Sequence, residues 1–266
     1  MPTSPENAEI EAVFGDGTRD EIERARPTSL RGEWRRVGGF LRRPTLPLMP
    51  GEGGDLAAAP ARIARVFALD VGIMFVLIMI AVVVVALGVD LPETALAGIE
   101  ITPAIVFAVV VVAPVFEEII FRGWLSGRPG HVLALLALAF AAGAISMFGP
   151  QRPLLSVAFG LIGMLGALAA LVFLWSRPAM GWFARGFPLF FWLSTLAFAL
   201  IHLGNFDPED TGGSLAMLLP LVIPQFVLGS LLGYLRVEIG LWAAILLHAM
   251  HNATALSLAA LAMSAG

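Results

Sequence analysis

The chain has no cysteine, which excludes disulfides and thiolate metal sites from any account of its stability or chemistry. It also has no lysine: all sixteen basic residues are arginine, a bias of composition that carries no chemistry by itself. Charge is scarce, at 14% of residues, whereas apolar residues make up 58% and the mean hydropathy is +0.87. A water-soluble domain rarely departs so far from average usage, and the composition is that of an integral membrane protein. The formal net charge of −4 carries little information in such a chain, and no basic tract with interleaved aromatics suggests nucleic acid. No apolar run follows a short basic start near the amino terminus, so no signal peptide is read there.

What the chain does have is a series of membrane-length apolar segments behind a polar start. Residues 1–60 are rich in Pro, Gly, Ser, Thr and charge, and are read as a disordered cytoplasmic tail. Arg31, Arg35, Arg36, Arg42 and Arg43 cluster within it. They fit either binding to anionic lipid or a tail that obeys the positive-inside rule, and the second reading is preferred. Residues 61–266 are read as one all-α domain, a polytopic transmembrane bundle of about seven spanning helices. The expected spans are Val66–Val89, Ile101–Gly127, His131–Phe148, Leu154–Trp175, Phe187–Leu203, Leu215–Leu235 and Leu241–Met263. Pro220 and Pro224 are expected to kink the sixth. Basic loops alternate with acidic ones, Arg152 excepted, which places the amino terminus in the cytoplasm, with the inner membrane of a bacterial cell as the expected location.

The stretch Val115-Phe116-Glu117-Glu118-Ile119-Ile120-Phe121-Arg122-Gly123 ends a charge-free run from Ile101 to Phe116. A charge near the bilayer centre costs roughly 2.5–3.5 kcal/mol on insertion scales, so such groups have partners and a purpose. Glu118 and Arg122 are four apart and can pair on one helix face, while Glu117 points about 100° away. A carboxylate in an apolar wall is the kind of group that serves as a general base. Polar titratable residues elsewhere in the spans are few: His202, His248 and His251, with Asn252 beside them. Counted from the basic ends of their helices, Glu117 and His248 lie roughly 15 Å deep and His202 and Asn252 roughly 22 Å deep, one band nearer the cytoplasmic side. His248 and Asn252 share a helix face. His251 is read as a supporting or core histidine, His131 as exposed, and Asp70 as reachable by water or Arg65.

Glu117-Glu118-x-x-x-Arg122, Phe198-x-x-x-His202 and His248-x-x-x-Asn252, in that order and each in an apolar segment, resemble the three signatures of the CAAX prenyl protease and bacteriocin-processing family of intramembrane endopeptidases. Arg236-x-x-x-Gly240-Leu241-Trp242 is similar to the family's approach to its third motif, and the likeness covers roughly residues 101–255. The resemblance implies that Glu117 and His202 activate a water that attacks a peptide carbonyl. It implies that His248 and Asn252 stabilise the oxyanion, and that Glu118 with Arg122 braces the site. The family usually places its second motif on the helix after the first. Here the gap from Glu117 to His202 is 85 residues, a surplus of one helical hairpin that bears on whether the second and fifth helices are neighbours.

Other functions fit the same residues. A zinc peptidase would use His202, His248 and a carboxylate as ligands, but Asn252 suits an oxyanion role better than a metal, and no cofactor is expected. A non-catalytic membrane scaffold or immunity protein would keep the motifs without the reaction. A proton-coupled transporter would also place Glu and His in mid-membrane, but no internal repeat is visible. The expected partners are the lipid bilayer and a peptide or protein substrate entering from the membrane or the cytoplasmic side.

Overall fold

The computed structural model describes residues 29–46, 57–89, 92, 100–149, 151–174, 176–206 and 219–265. Seven of the described helices are long and apolar enough to cross a membrane. In chain order the elements are α1 (Leu30–Arg42), α2 (Ala59–Ala86), α3 (Pro103–Ser126), α4 (Pro129–Phe148), α5 (Pro153–Phe173), the short α6 (Gly181–Arg185), α7 (Phe187–Ile201), α8 (Ile223–Glu238) and α9 (Leu241–Ala265). With hydropathy and helix content as the sequence requires, the chain is an all-helical integral membrane protein.

Local chemistry sets the helix ends. Thr102 caps α3 by accepting from the Ile105 N–H at 3.3 Å, and Pro103 follows at the position where its missing N–H leaves no gap. Inside α3, residues Ala108–Val112 wind as a π-helical turn before the α-helix Ala113–Arg122 resumes. Pro114 accounts for that irregularity, since its ring and absent N–H disfavour regular winding over the preceding turn. The helix closes in a 3₁₀ turn, Gly123–Ser126, and Gly127 at φ +66° reverses the chain. A Cβ at Gly127 would meet Phe183 at 2.8 Å and Leu46 at 2.9 Å, so both conformation and space select glycine there.

The core is formed by α2, α3, α7, α8 and α9, with α1 against its arginine-rich end. α8 is the most enclosed element, buried at every position from Leu228 to Leu235. Around it pack Phe183, Phe187, Phe191 and Phe198 from α6 and α7, and Ala243, Ala244 and Leu247 from α9. The surplus hairpin α4–α5 packs on itself, and its substantial contacts outside that pair are with Gly123–Ser126. It therefore leaves α7 free to lie against α3, where the Ser194 hydroxyl donates to the Phe121 carbonyl. The second and fifth spans are therefore neighbours, although a hairpin separates them in sequence.

Several expectations are corrected. Within the region read as a disordered tail, Leu30–Arg42 is a helix, capped by the Ser29 hydroxyl and docked through Glu33, Val37 and Phe40; residues 1–28 and 47–56 lie outside the described residues. Its anchor is a buried network: Arg62 donates to Glu33 at 3.2 Å, to the Tyr234 hydroxyl at 3.0 Å and to Glu238 at 3.1 Å, and Tyr234 donates to Glu33 at 2.7 Å. The first span accordingly starts at Ala59 and takes Arg62 and Arg65 inside it. Pro220 and Pro224 do not kink a helix. Pro220 lies in a 3₁₀ turn and Pro224 in the first turn of α8, the position a proline favours. Asp70 is buried and bonded to His251 at 2.8 Å rather than reached by water. His131 is half-buried and shares a 2.7 Å hydrogen bond with the Ser126 hydroxyl.

The α4–α5 seam rests on small residues: a Cβ at Gly163 would collide with Ala141 and the Ala137 carbonyl, whereas a Cβ at Gly143 would meet nothing within 4 Å. Gly163→Val is therefore expected to destabilise the purified protein by about 1–3 kcal/mol in a denaturation series, and Gly143→Val to leave it near wild type.

Candidate active site

The site is assembled by α3, α7 and α9 with α8 beneath it. Two adjacent glutamates on α3 take different environments because successive helical residues are about 100° apart. Glu118 faces the bundle interior and is fully buried, whereas Glu117 keeps 30% of its side chain exposed. Buried charge of this kind requires paired, hydrogen-bonded partners, and Glu118 has two. Arg122, one turn on, donates from Nη1 to Glu118 Oε1 at 2.7 Å. His248 on α9 places Nδ1 3.0 Å from the same oxygen.

Arg122 is held on every side. Its Nη2 donates to the Gly229 carbonyl at 3.4 Å, and its guanidinium lies 3.9 Å from the centroid of the Phe198 ring. A Cβ at Gly229 would come within 3.0 Å of Phe198 and 3.1 Å of Arg122, so α8 approaches this closely because that residue is glycine. Arg236, named from sequence in the approach to the third motif, donates to the Arg122 carbonyl at 3.0 Å and to the Gly123 carbonyl at 3.4 Å. These carbonyls lie where the α-helix gives way to its closing 3₁₀ turn.

The histidine tautomers follow from their partners. His202, at the end of α7, has Nδ1 2.6 Å from the Phe198 carbonyl, which can only accept, so Nδ1 carries the hydrogen and Nε2 is turned outward. Paired with Arg122, Glu118 is an acceptor, so Nδ1 of His248 is likewise the donor. Both Nε2 atoms then approach one oxygen: His202 and His248 each lie 3.9 Å from Glu117 Oε2. Glu117 Oε2 is itself buried and makes no hydrogen bond to a protein group.

Asn252, one turn beyond His248, donates its amide to the Val109 carbonyl at 2.9 Å. Val109 belongs to the π-helical turn, so the irregular winding of α3 supplies the acceptor that fixes Asn252. His251 turns away toward Asp70 on α2 and ties α9 to the first span. The structure thus brings Glu117, Glu118, Arg122, His202 and His248 into one cluster and joins Asn252 to it through α3. Sequence reasoning missed the Glu118–His248 link and the roles of Val109, Gly229 and Arg236. Of these only the π turn had a local signal, in Pro114.

Seven helices of membrane-spanning length, with paired glutamates and two histidines gathered between three of them, define a polytopic membrane protein with a titratable polar cluster inside its bundle. Residues 99–254 match the profile described as Type II CAAX prenyl endopeptidase Rce1-like, and since the match covers more than half of the chain, the protein belongs to that Rce1-like family of proteases. No curated protein and no solved structure matches the chain.

Removing Arg122 would strand Glu118 in the interior. Arg122→Met is expected to cost about 3–5 kcal/mol in unfolding free energy, and the double variant Glu118→Gln/Arg122→Met much less than the sum of the two single changes, as a double-mutant cycle by denaturation would show.

Proposed function

We propose that this protein is an intramembrane endopeptidase resembling the CAAX prenyl proteases, hydrolysing a peptide bond with a water activated by Glu117 and His202. The observation that carries the reading is the convergence of His202 Nε2 and His248 Nε2 on Glu117 Oε2, each at 3.9 Å. That separation is too long for a direct hydrogen bond and suits groups that share one small ligand. Hydrolysis needs a base for the water's proton and donors aimed at the charge that develops on the carbonyl oxygen.

In this reading Glu117 Oε2 takes a proton from the water, and the Nε2 lone pair of His202 accepts the second hydrogen and aims the oxygen. Attack forms a C–O bond and moves the carbonyl π electrons onto oxygen. Asn252 receives that oxyanion with the amide hydrogen not given to Val109, and His248 does so with an Nε2 hydrogen while its Nδ1 side is held by Glu118. Collapse breaks the C–N bond, and Glu117 returns the proton to the leaving amine. Glu118 and Arg122 are positioning residues: they set the ring orientation and height of His248.

Substrate is proposed to enter from the bilayer or from the arginine-rich end, which we place on the cytoplasmic side. Support comes from the partial exposure of Glu117 and from Phe116, Ile119 and Ile120 beside it, which are exposed on the lipid-facing side of α3. The reaction is proposed to need no metal. Imidazoles with a bonded Nδ1 also occur as zinc ligands, but among the described residues no three of His, Asp and Glu are spaced to hold an ion.

Glu117→Gln keeps the shape and removes the base. It is expected to lower cleavage about 10²–10⁴-fold with an unchanged melting curve, and to retain bound peptides that wild type cleaves when both are isolated from membranes and compared by mass spectrometry. Undiminished function in that variant would make the protein a scaffold. Cleavage of the captured peptides is expected to persist after exhaustive chelation; stoichiometric zinc whose removal abolishes activity would move the mechanism to a metallopeptidase.

A further inference from the structure

We propose that the outer face of α1 is a binding site for the phosphate headgroup of an anionic phospholipid. In α1, Glu33, Val37 and Phe40 are buried, while Arg31, Arg35, Gly38 and Arg42 recur at three- and four-residue spacings and are all exposed on the opposite face. A groove of about 560 Å³ follows that stripe, lined by Arg31, Trp34, Arg35, Gly38, Gly39 and Arg42.

Three observations make this a site rather than scattered charge. First, its arginines are not neutralised from within. The one acid of the helix, Glu33, is buried against Arg62 and Tyr234, and Arg36 is bound to Glu238 at 2.7 Å. Among the described residues no carboxylate pairs with Arg31, Arg35 or Arg42. Second, Gly38 and Gly39 put no side chain between the arginines, and a Cβ at either would meet nothing within 4 Å. Adjacent glycines weaken a helix interior, so packing does not explain them, whereas a bare backbone floor between guanidinium forks suits a bulky tetrahedral anion. Third, the Trp34 indole N–H donates to the Arg65 carbonyl at 2.9 Å, which fixes α1 beside the start of the first span, the level at which tryptophan and headgroups meet.

That position commits the site to a lipid rather than to free phosphate. A helix clamped across the end of a spanning bundle sees headgroups at high local concentration, and exposed Leu30 lies at its start, where an acyl boundary would be. The positive-inside rule asks for arginines on one side of the membrane. It does not ask for a helix that gathers them around exposed glycines and turns its acid inward. The inference requires no cleavage activity and stands apart from the peptidase reading.

The test uses the full-length protein in a neutral detergent, titrated with dioleoyl-phosphatidylglycerol or dioleoyl-phosphatidylcholine in mixed micelles, with bound lipid counted by native mass spectrometry. Preferential binding of the phosphatidylglycerol is expected. Replacing Arg31, Arg35 and Arg42 together by glutamine is expected to weaken it roughly a hundredfold. Gly38→Leu, which fills the groove and leaves every charge in place, is expected to abolish the preference. Both variants alter exposed positions, and unchanged helicity by circular dichroism checks the fold. Equal binding of the two lipids, or undiminished binding by the triple variant, would overturn the proposal. Full binding by Gly38→Leu would reduce the effect to diffuse attraction, and displacement of the lipid by equimolar inorganic phosphate would reassign the site to a free anion; either result also overturns it.

Discussion

A single buried carboxylate fixes the arrangement of the site. Glu118 sits where water is excluded, and an ionised group there is tolerable only with close, well-oriented partners. Its two partners come from its own helix and from the last one, so the rotation and separation of α3 and α9 are set by one charge. Arg122 extends the constraint to α8 through Gly229 and to α7 through the Phe198 ring. Glu117 is then aimed by default: as the neighbour of a residue locked into the interior, it points toward the side where α7 delivers His202. The proposed base sits one residue from the anchor, close enough to be positioned by it and turned far enough to stay partly exposed.

The bundle carries a second polar layer toward its arginine-rich end, made of Glu33, Arg62, Tyr234 and Glu238. α8 joins the two layers. It offers the Gly229 carbonyl to Arg122 at one level, Tyr234 to Glu33 further along, and Arg236 to the carbonyls of Arg122 and Gly123 near the end of α3. Its glycines allow this closeness. A Cβ at Gly233 would fall 2.6 Å from Phe191, and the one at Gly229 would press on Phe198 and Arg122. A helix of larger residues in this place would separate the arginine from its acceptor.

Much of this was legible in the chain because charge in a membrane span is costly. Few segments carry any, and those that do stand out against runs such as Ile101–Phe116. Counting depth from loop charges brought Glu117, His202 and His248 to one level across 131 residues of sequence, from 117 to 248, and the structure places them together. Lateral placement was not legible. A helix that packs on protein and one that faces lipid are equally apolar, so hydropathy could not show that α4 and α5 stand beside the core while α8 lies at its centre. Pro220 and Pro224 illustrate another ambiguity, since a proline that kinks a helix and one that begins it differ only in where the helix starts. α1 was hidden by its composition, with three glycines and four arginines over Leu30–Arg42. The partners of its buried Glu33, at positions 62 and 234, are joined to it by long-range contact alone and leave no mark on neighbouring residues.

The hairpin of α4 and α5 has a mechanical consequence. Because α4 and α5 lean on each other and, among the described residues, meet the rest of the fold mainly at Gly123–Ser126, they form a paddle on a narrow attachment. In a bilayer thicker or thinner than their apolar length, such a paddle relieves the mismatch by tilting. The core helices are cross-tied by Arg122, Ser194 and Asp70, so the same mismatch is expected to be taken up by the hairpin before it alters the distances around Glu117.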